Sequence, residues 1–391
     1  MMKRYYSRWI EKHSWLLLLL LVVPGLIYTD DNYKIVTCSY LLIISFISLY
    51  WLLNPAVIKN LAQFRGVQLF APFLIYSLLS IFWSTNGYAA NVPVRCLGMS
   101  ALLTLCYLVI YHKPEKLPVI ANTFLVGGTA CLILAMYQQG LGFSPHFVEM
   151  GHAVFDHHVY IAWLAAILLL LLLNGSLRLS MAQCALFCFF LGCIILSAGR
   201  GGLLVFLCGY ISMIFSQENR YREKQVFLCL ILPILLIFVL NPLDLLKMTN
   251  KGASSRGEIF AIHFKKATDS KSHFLFGRGL NTSTDLVIKE KTIPHFHSLY
   301  LTLMYKGGVI GLLLYLAMLA YIIYQGLRVP KSQPWIFIVI GMSVALAVDA
   351  SDFFVWPSPL MTCFIIPLFL TLFSIPPKSP NYENPAAATT G

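Results

Sequence analysis

Of the chain's 391 residues, 58% are hydrophobic and 11% are charged, less than half the usual share of charge in soluble domains. A mean hydropathy of +0.75 excludes water-soluble enzyme folds, and long unbroken apolar runs such as 15–27 and 161–173 exclude a membrane barrel, whose strands alternate. The formal net charge of +12, from 28 Lys and Arg against 16 Asp and Glu, therefore reads as topogenic charge and as a site for anionic lipid or phosphate. It does not read as a nucleic-acid footprint.

The expected fold class is an all-α polytopic membrane protein. A span needs about 20 mostly apolar residues. Runs of that length fall at 14–29, 35–53, 67–83, 93–111, 117–139, 157–174, 180–198, 200–215, 225–241, 297–325, 334–350 and 356–374, twelve in all. Residues 1–13 are basic, but the first run lacks a small-residue cleavage site and reads as a transmembrane helix, not a signal peptide. With the N-terminus inside, the inner connections hold fourteen Lys and Arg, and the short outer ones hold three: Lys34, Arg95 and Arg200. Residues 1–241 then carry helices one to nine, 242–296 form a large periplasmic loop with short helices, 297–375 carry the last three spans, and 376–391 form a disordered cytoplasmic tail. The ten cysteines lie in or beside apolar stretches and form no CxxC pair, so neither a disulfide framework nor a zinc site is indicated.

Residues with chemical potential collect on the outer side. Arg95 sits at the start of the fourth span. The next outer segment contains His146, His152, Asp156, His157 and His158, a set of metal-ligand types. Their spacing matches no compact zinc pattern, so no metal site is expected. Arg200 follows in Ser197-Ala198-Gly199-Arg200-Gly201-Gly202, at the junction of the seventh and eighth spans. Glycines let a phosphate oxygen approach the backbone, and guanidinium matches phosphate bidentately. The plainer reading is a topological stop.

In the long loop, Ser255 and Glu258 have capping-box spacing, and Ile259, Phe260, Ile262 and Phe264 follow. This places Arg256 in the first turn of a short amphipathic helix, where free amides and the helix dipole reinforce the guanidinium as an anion site. A headgroup-facing surface arginine is the alternative. Gly277-Arg278-Gly279 is a turn signal too brief to be a nucleotide loop. His297 opens the tenth span within Pro294-His295-Phe296-His297-Ser298-Leu299-Tyr300. An imidazole there is either a general base beside the two arginines or an interfacial cap, and His295 would point elsewhere. Lys306 lies deeper, where lipid exposure is costly, so it should face the bundle interior, a cavity or a carboxylate. Asp349 and Asp352, at the outer end of the eleventh span, are candidate partners.

Together these segments resemble the O-antigen ligase and polymerase superfamily of Gram-negative inner-membrane glycosyltransferases. The resemblance is carried by Trp83-Ser84 with Arg95, the motif around Arg200, Arg256, and Phe276-Gly277-Arg278-Gly279. It closes with His297-Ser298-Leu299-Tyr300-Leu301 running into Gly308-Val309-Ile310-Gly311. The chain departs from the family at Lys306, near which an acidic residue is frequent. Polymerases typically carry Arg-x10-Gly motifs, whereas Arg200, Arg256 and Arg278 are followed eleven residues later by Ile211, Ala267 and Lys289, so the chain is more similar to the ligases.

That resemblance implies a GT-C type membrane enzyme without cofactor or metal. Its donor would be a glycan on undecaprenyl pyrophosphate, and its acceptor the lipid A–core oligosaccharide. The reaction would invert the anomeric centre at the periplasmic face of the inner membrane. His297 would be the catalytic base, and Arg200 and Arg256, with Arg95, would bind pyrophosphate. Lys306, Asp349, Asp352 and Arg278 would support them. The competing readings are a polymerase of the same superfamily and a lipid-linked glycan flippase. Twelve helices suit the flippase, but its class usually shows repeated halves with helices broken at midplane.

Overall fold

The computed structural model describes residues 2–26, 33–84, 91–138, 158–175, 180–196, 200–216, 254–284, 286–288, 291–293, 297–330, 333–348, 353 and 360–377. Its helices run, in chain order, α1 (Met2–Leu26), α2 (Tyr33–Leu53), α3 (Ala56–Leu61), α4 (Arg65–Leu79), α5 (Asn91–His112), α6 (Leu117–Gln138), α7 (His158–Gly175), α8 (Met181–Leu196) and α9 (Arg200–Ser216). There follow α10 (Ser254–Ala267), α11 (Lys271–Phe276), α12 (Leu299–Gly326), α13 (Trp335–Ala345) and α14 (Ile366–Ser374). A 3-10 turn, Ser80–Trp83, extends α4, and a π turn, Met361–Ile365, leads into α14.

Among the described residues, four helical stretches are long and apolar enough to cross a membrane: Arg65–Trp83, Val92–His112, Pro114–Tyr137 and Leu299–Gly326. Six shorter apolar helices accompany them. The expected ninth span, 225–241, and most of the expected tail lie outside the described residues. Two expectations change. The first helix begins at Met2, not near residue 14, because its basic segment is itself helical and tied to the next helix. Tyr6 donates its hydroxyl proton to the Phe46 carbonyl, and Asn54 donates to Ser7 Oγ at 2.6 Å. The loop also departs from an all-α reading, since β1 (Leu286–Ile288) and β2 (Lys291–Ile293) pair antiparallel with Val287 opposite Thr292. Valine, isoleucine and threonine favour that extended conformation.

Helix α7 is apolar on every face and its residues 164–170 are wholly buried, as a helix enclosed by other helices must be. It packs on α6, α8 and α9. Helix α9 is held between α7 and α13 by glycines that bring backbones into contact. A Cβ at Gly202 would lie 2.5 Å from the Ala162 carbonyl oxygen, and one at Gly341 would lie 2.2 Å from that of Val205. Small residues allow such approach between membrane helices. Gly209 meets Phe337 while Gly341 meets Val205, so α9 and α13 run antiparallel. That register sets the start of α9, Arg200, level with Leu346 at the end of α13. At this same end α4 finishes, α5 and α7 begin, and α10 and α11 dock on α12.

Candidate functional site

The first turn of α12 is clamped to the end of α13. Leu299 donates its backbone N–H to the Leu346 carbonyl at 2.8 Å, and Tyr300 donates its hydroxyl proton to the Ser343 carbonyl at 2.7 Å. Ser298 is the N-cap, its hydroxyl accepting from the Leu301 N–H. His297 therefore precedes the cap and does not open the helix, which corrects the sequence expectation. Its half-buried side chain is aimed by a left-handed backbone, φ 53°, not by helical period. Histidine enters that region more readily than most residues, and such strain collects at functional positions.

Helix α10 begins at Ser254, so Ser255 lies inside the helix and is not its cap, and Arg256 falls in the first turn as expected. The helix buries Ile259, His263 and Ala267, spaced four apart, at 6%, 1% and 2% exposure. Ala267 packs on Met304 and Tyr305 of α12. Arg256 lies seven residues before His263, which puts the two positions about 20° apart around the helix and about 10 Å apart along it. The Arg256 side chain itself lies outside the described residues. His263 is an electrostatic neighbour of His297. Burial first, then the charges of Lys266 and His297, push its imidazole down to about 4, so it is neutral at physiological pH. His263 was missed by reading single motifs; its signal was the seven-residue spacing from Arg256.

Below this pair, α12 is broken at Gly308, with φ 61° and ψ −169°. The break turns the Tyr305 and Lys306 carbonyls outward, where they accept from the Arg278 N–H at 3.0 Å and the Gly279 N–H at 2.9 Å. A Cβ at Gly277 would lie 2.3 Å from the Lys306 carbonyl oxygen, and one at Gly308 would lie 2.3 Å from that of Leu275. The Tyr76 hydroxyl sits 2.9 Å from both the Phe276 and Gly307 carbonyl oxygens. Trp83 Nε1 donates to the Phe276 carbonyl, and the Leu280 N–H to Ser80 Oγ. Three segments far apart in sequence thus interlock, two of them backbone to backbone and the end of α4 through its side chains. Gly277-Arg278-Gly279 is half of that joint, not merely a turn.

The Arg278 guanidinium bonds the Asp269 carboxylate and lies 5.5 Å above the Tyr305 ring. Asp269 is held below the usual carboxylate range, first by the hydrogen bond with His273 and then, against a cost of burial, by the charge of Arg278. Arg278 therefore ties the end of α10 to α12. Lys306, 7% exposed, faces the bundle interior and lines a narrow crevice with Tyr76, Ser77 and Ser80. Asp349 and Asp352 lie outside the described residues.

Arg200 opens α9 at the level of Leu346, the residue that anchors Leu299. The two glycines after it allow close contact with α7: Gly202 meets Ala162, and a Cβ at Gly201 would lie 2.7 Å from Trp163 Nε1. Arg95 is half-buried in the second turn of α5, which packs on α1, α2, α4 and α14. Of the histidine-rich segment, His158 opens α7, and His146, His152, Asp156 and His157 lie outside the described residues. The described arrangement thus offers an imidazole in a strained turn at the bundle end and a docked helix whose buried stripe carries a second, neutral imidazole and continues toward an arginine. Such a constellation suits proton abstraction next to an anionic group.

No protein-family model matches this chain. The chain is 24% identical over 326 residues to a protein of Pseudomonas aeruginosa named O-antigen ligase, a match covering 81% of this chain and 78% of that relative. The likeness supports the family to which the motifs pointed.

Proposed function

We propose that this chain, a member of the O-antigen ligase family, transfers a polysaccharide from undecaprenyl pyrophosphate to the lipid A–core oligosaccharide at the periplasmic face of the bacterial inner membrane. The observation that carries the reading is His297, strained into a left-handed turn where α10, with Arg256 in its first turn, docks on α12. In the proposed step a core-sugar hydroxyl attacks the anomeric carbon of the donor from the face opposite the pyrophosphate. Its proton passes to His297. The bond from anomeric carbon to oxygen breaks, its electron pair leaving with undecaprenyl pyrophosphate, so the centre inverts.

Charge develops on the leaving group, and that is where stabilisation lowers the barrier. Arg200 and Arg256 are assigned to it, with Arg95 assisting, and their fixed charge does without a divalent ion. Both substrates carry lipid tails in one membrane, so they would enter sideways between helices. Loop 242–296 is assigned to the periplasm and both termini to the cytoplasm.

The missing Arg-x10-Gly pattern and the name of the relative both favour ligase over polymerase. A strain lacking the protein separates these. A ligase-null strain should accumulate polymerised glycan on undecaprenyl pyrophosphate above an unsubstituted core. Single repeats on the core would make the protein a polymerase, and failure of lipid-linked glycan to reach the periplasm would make it a flippase.

A further inference from the structure

We infer that the indole N–H of Trp163 is a ligand for the leaving pyrophosphate: with the open first turn of α9 it forms a corner of donors that a phosphate oxygen of the lipid-linked substrate completes. The inference rests on the assignment of Arg200 to the leaving group. Packing alone does not explain this indole. Trp163 is 1% exposed, and its Nε1 is buried with no hydrogen-bond partner among the described residues. A buried tryptophan N–H usually finds an acceptor. One left without costs free energy that a phenylalanine in the same place would not.

The place of that nitrogen identifies its acceptor. A Cβ at Gly201 would lie 2.7 Å from Trp163 Nε1. A helical Cβ leans toward the helix N-terminus, so the nitrogen lies beside the first turn of α9, on the side of its open end. Arg200 starts this helix of 17 residues, and the N–H groups of Arg200, Gly201 and Gly202 have no partner within it. The turn therefore meets the indole with further donors and the positive end of the helix dipole. Three amides, an indole N–H and a guanidinium on the same turn share one missing partner, an anion. Any side chain at 201 would push the indole out, so the glycine is what admits it. The level of the corner suits the reaction. Arg200 stands level with Leu346, whose carbonyl holds Leu299 just after the His297 turn. Pyrophosphate is the anion that the proposed transfer releases, and a donor already fixed where its charge develops needs no reorganisation as the bond breaks.

The test uses full-length protein in phosphatidylcholine nanodiscs, with isotope-labelled indole nitrogens and undecaprenyl pyrophosphate as the probe. The probe should move one indole N–H resonance downfield, and that resonance should be the one missing from Trp163→Phe. The same variant should bind the probe about tenfold more weakly or worse, the usual worth of a hydrogen bond to a charged group. Phenylalanine also leaves space, so a second variant carries benzothienylalanine at 163, which keeps the shape of the ring and has sulfur in place of N–H. A comparable loss there supports the inference. Wild-type affinity in the sulfur variant assigns Trp163 to packing and overturns it. So does a resonance that stays put, or one moved by added phosphatidylglycerol and not by undecaprenyl pyrophosphate. Arg200→Ala is run in parallel. Wild-type affinity in that variant removes the assignment of this turn to the leaving group, and the inference with it. A weakened Arg200→Ala beside unweakened Trp163 variants removes only the role of Trp163.

Discussion

A strained turn presents His297, and a docked helix carries the buried His263. The type and position of His297 were readable, since few imidazoles stand at the outer end of an apolar span. Its left-handed backbone was not, because that depends on Ser298 taking the cap and on Leu299 bonding to Leu346. The arginines make the sharpest prediction at this scale. Arg256→Lys should be nearly as damaging to transfer as Arg256→Ala, because an ammonium keeps the charge but loses the paired planar contacts to pyrophosphate oxygens. Initial rates at saturating acceptor check this. A lysine variant with full activity would reduce Arg256 to a point charge.

At the scale of elements, the joint between the segment after α11 and the broken α12 holds the site together. Gly277 and Gly308, at φ 72° and 61°, each lie where a side chain would strike the other segment's backbone. Gly277→Ala should therefore unseat the loop. Strain alone is worth about 1–3 kcal/mol, and the clash adds to it. The expected result is faster proteolysis of loop 254–298 in membranes together with lost transfer, while the spans remain inserted. Wild-type protection would show that the joint is not needed. The glycines were visible in the sequence, but their pairing was not, since Gly277 and Gly308 belong to separate motifs and only three-dimensional contact relates them. Likewise the glycines after Arg200 suggested a phosphate cradle, and the structure shows that Gly202 also serves contact with Ala162. A glycine run looks the same in sequence for either purpose.

For the whole molecule, hydropathy alone gave most of the helical order, and the charge bias gave an orientation. The small hairpin at 286–293 and the helical start at Met2 escaped it, because both depend on local pairing, not on apolar length. Reporter fusions at Ser272 and Tyr382 should report opposite sides of the membrane, the first periplasmic; signals from the same side would overturn the proposed topology. The most direct measurement is transfer by purified protein from undecaprenyl-pyrophosphate-linked glycan to lipid A–core, with and without EDTA, for wild type and His297→Ala. The account predicts transfer that chelation does not reduce. It also predicts that His297→Ala still binds lipid-linked donor but loses transfer by a factor of about 10²–10⁴, the usual cost of removing a general base. Wild-type transfer by His297→Ala, or an EDTA loss restored by Mg²⁺ or Zn²⁺, would contradict it.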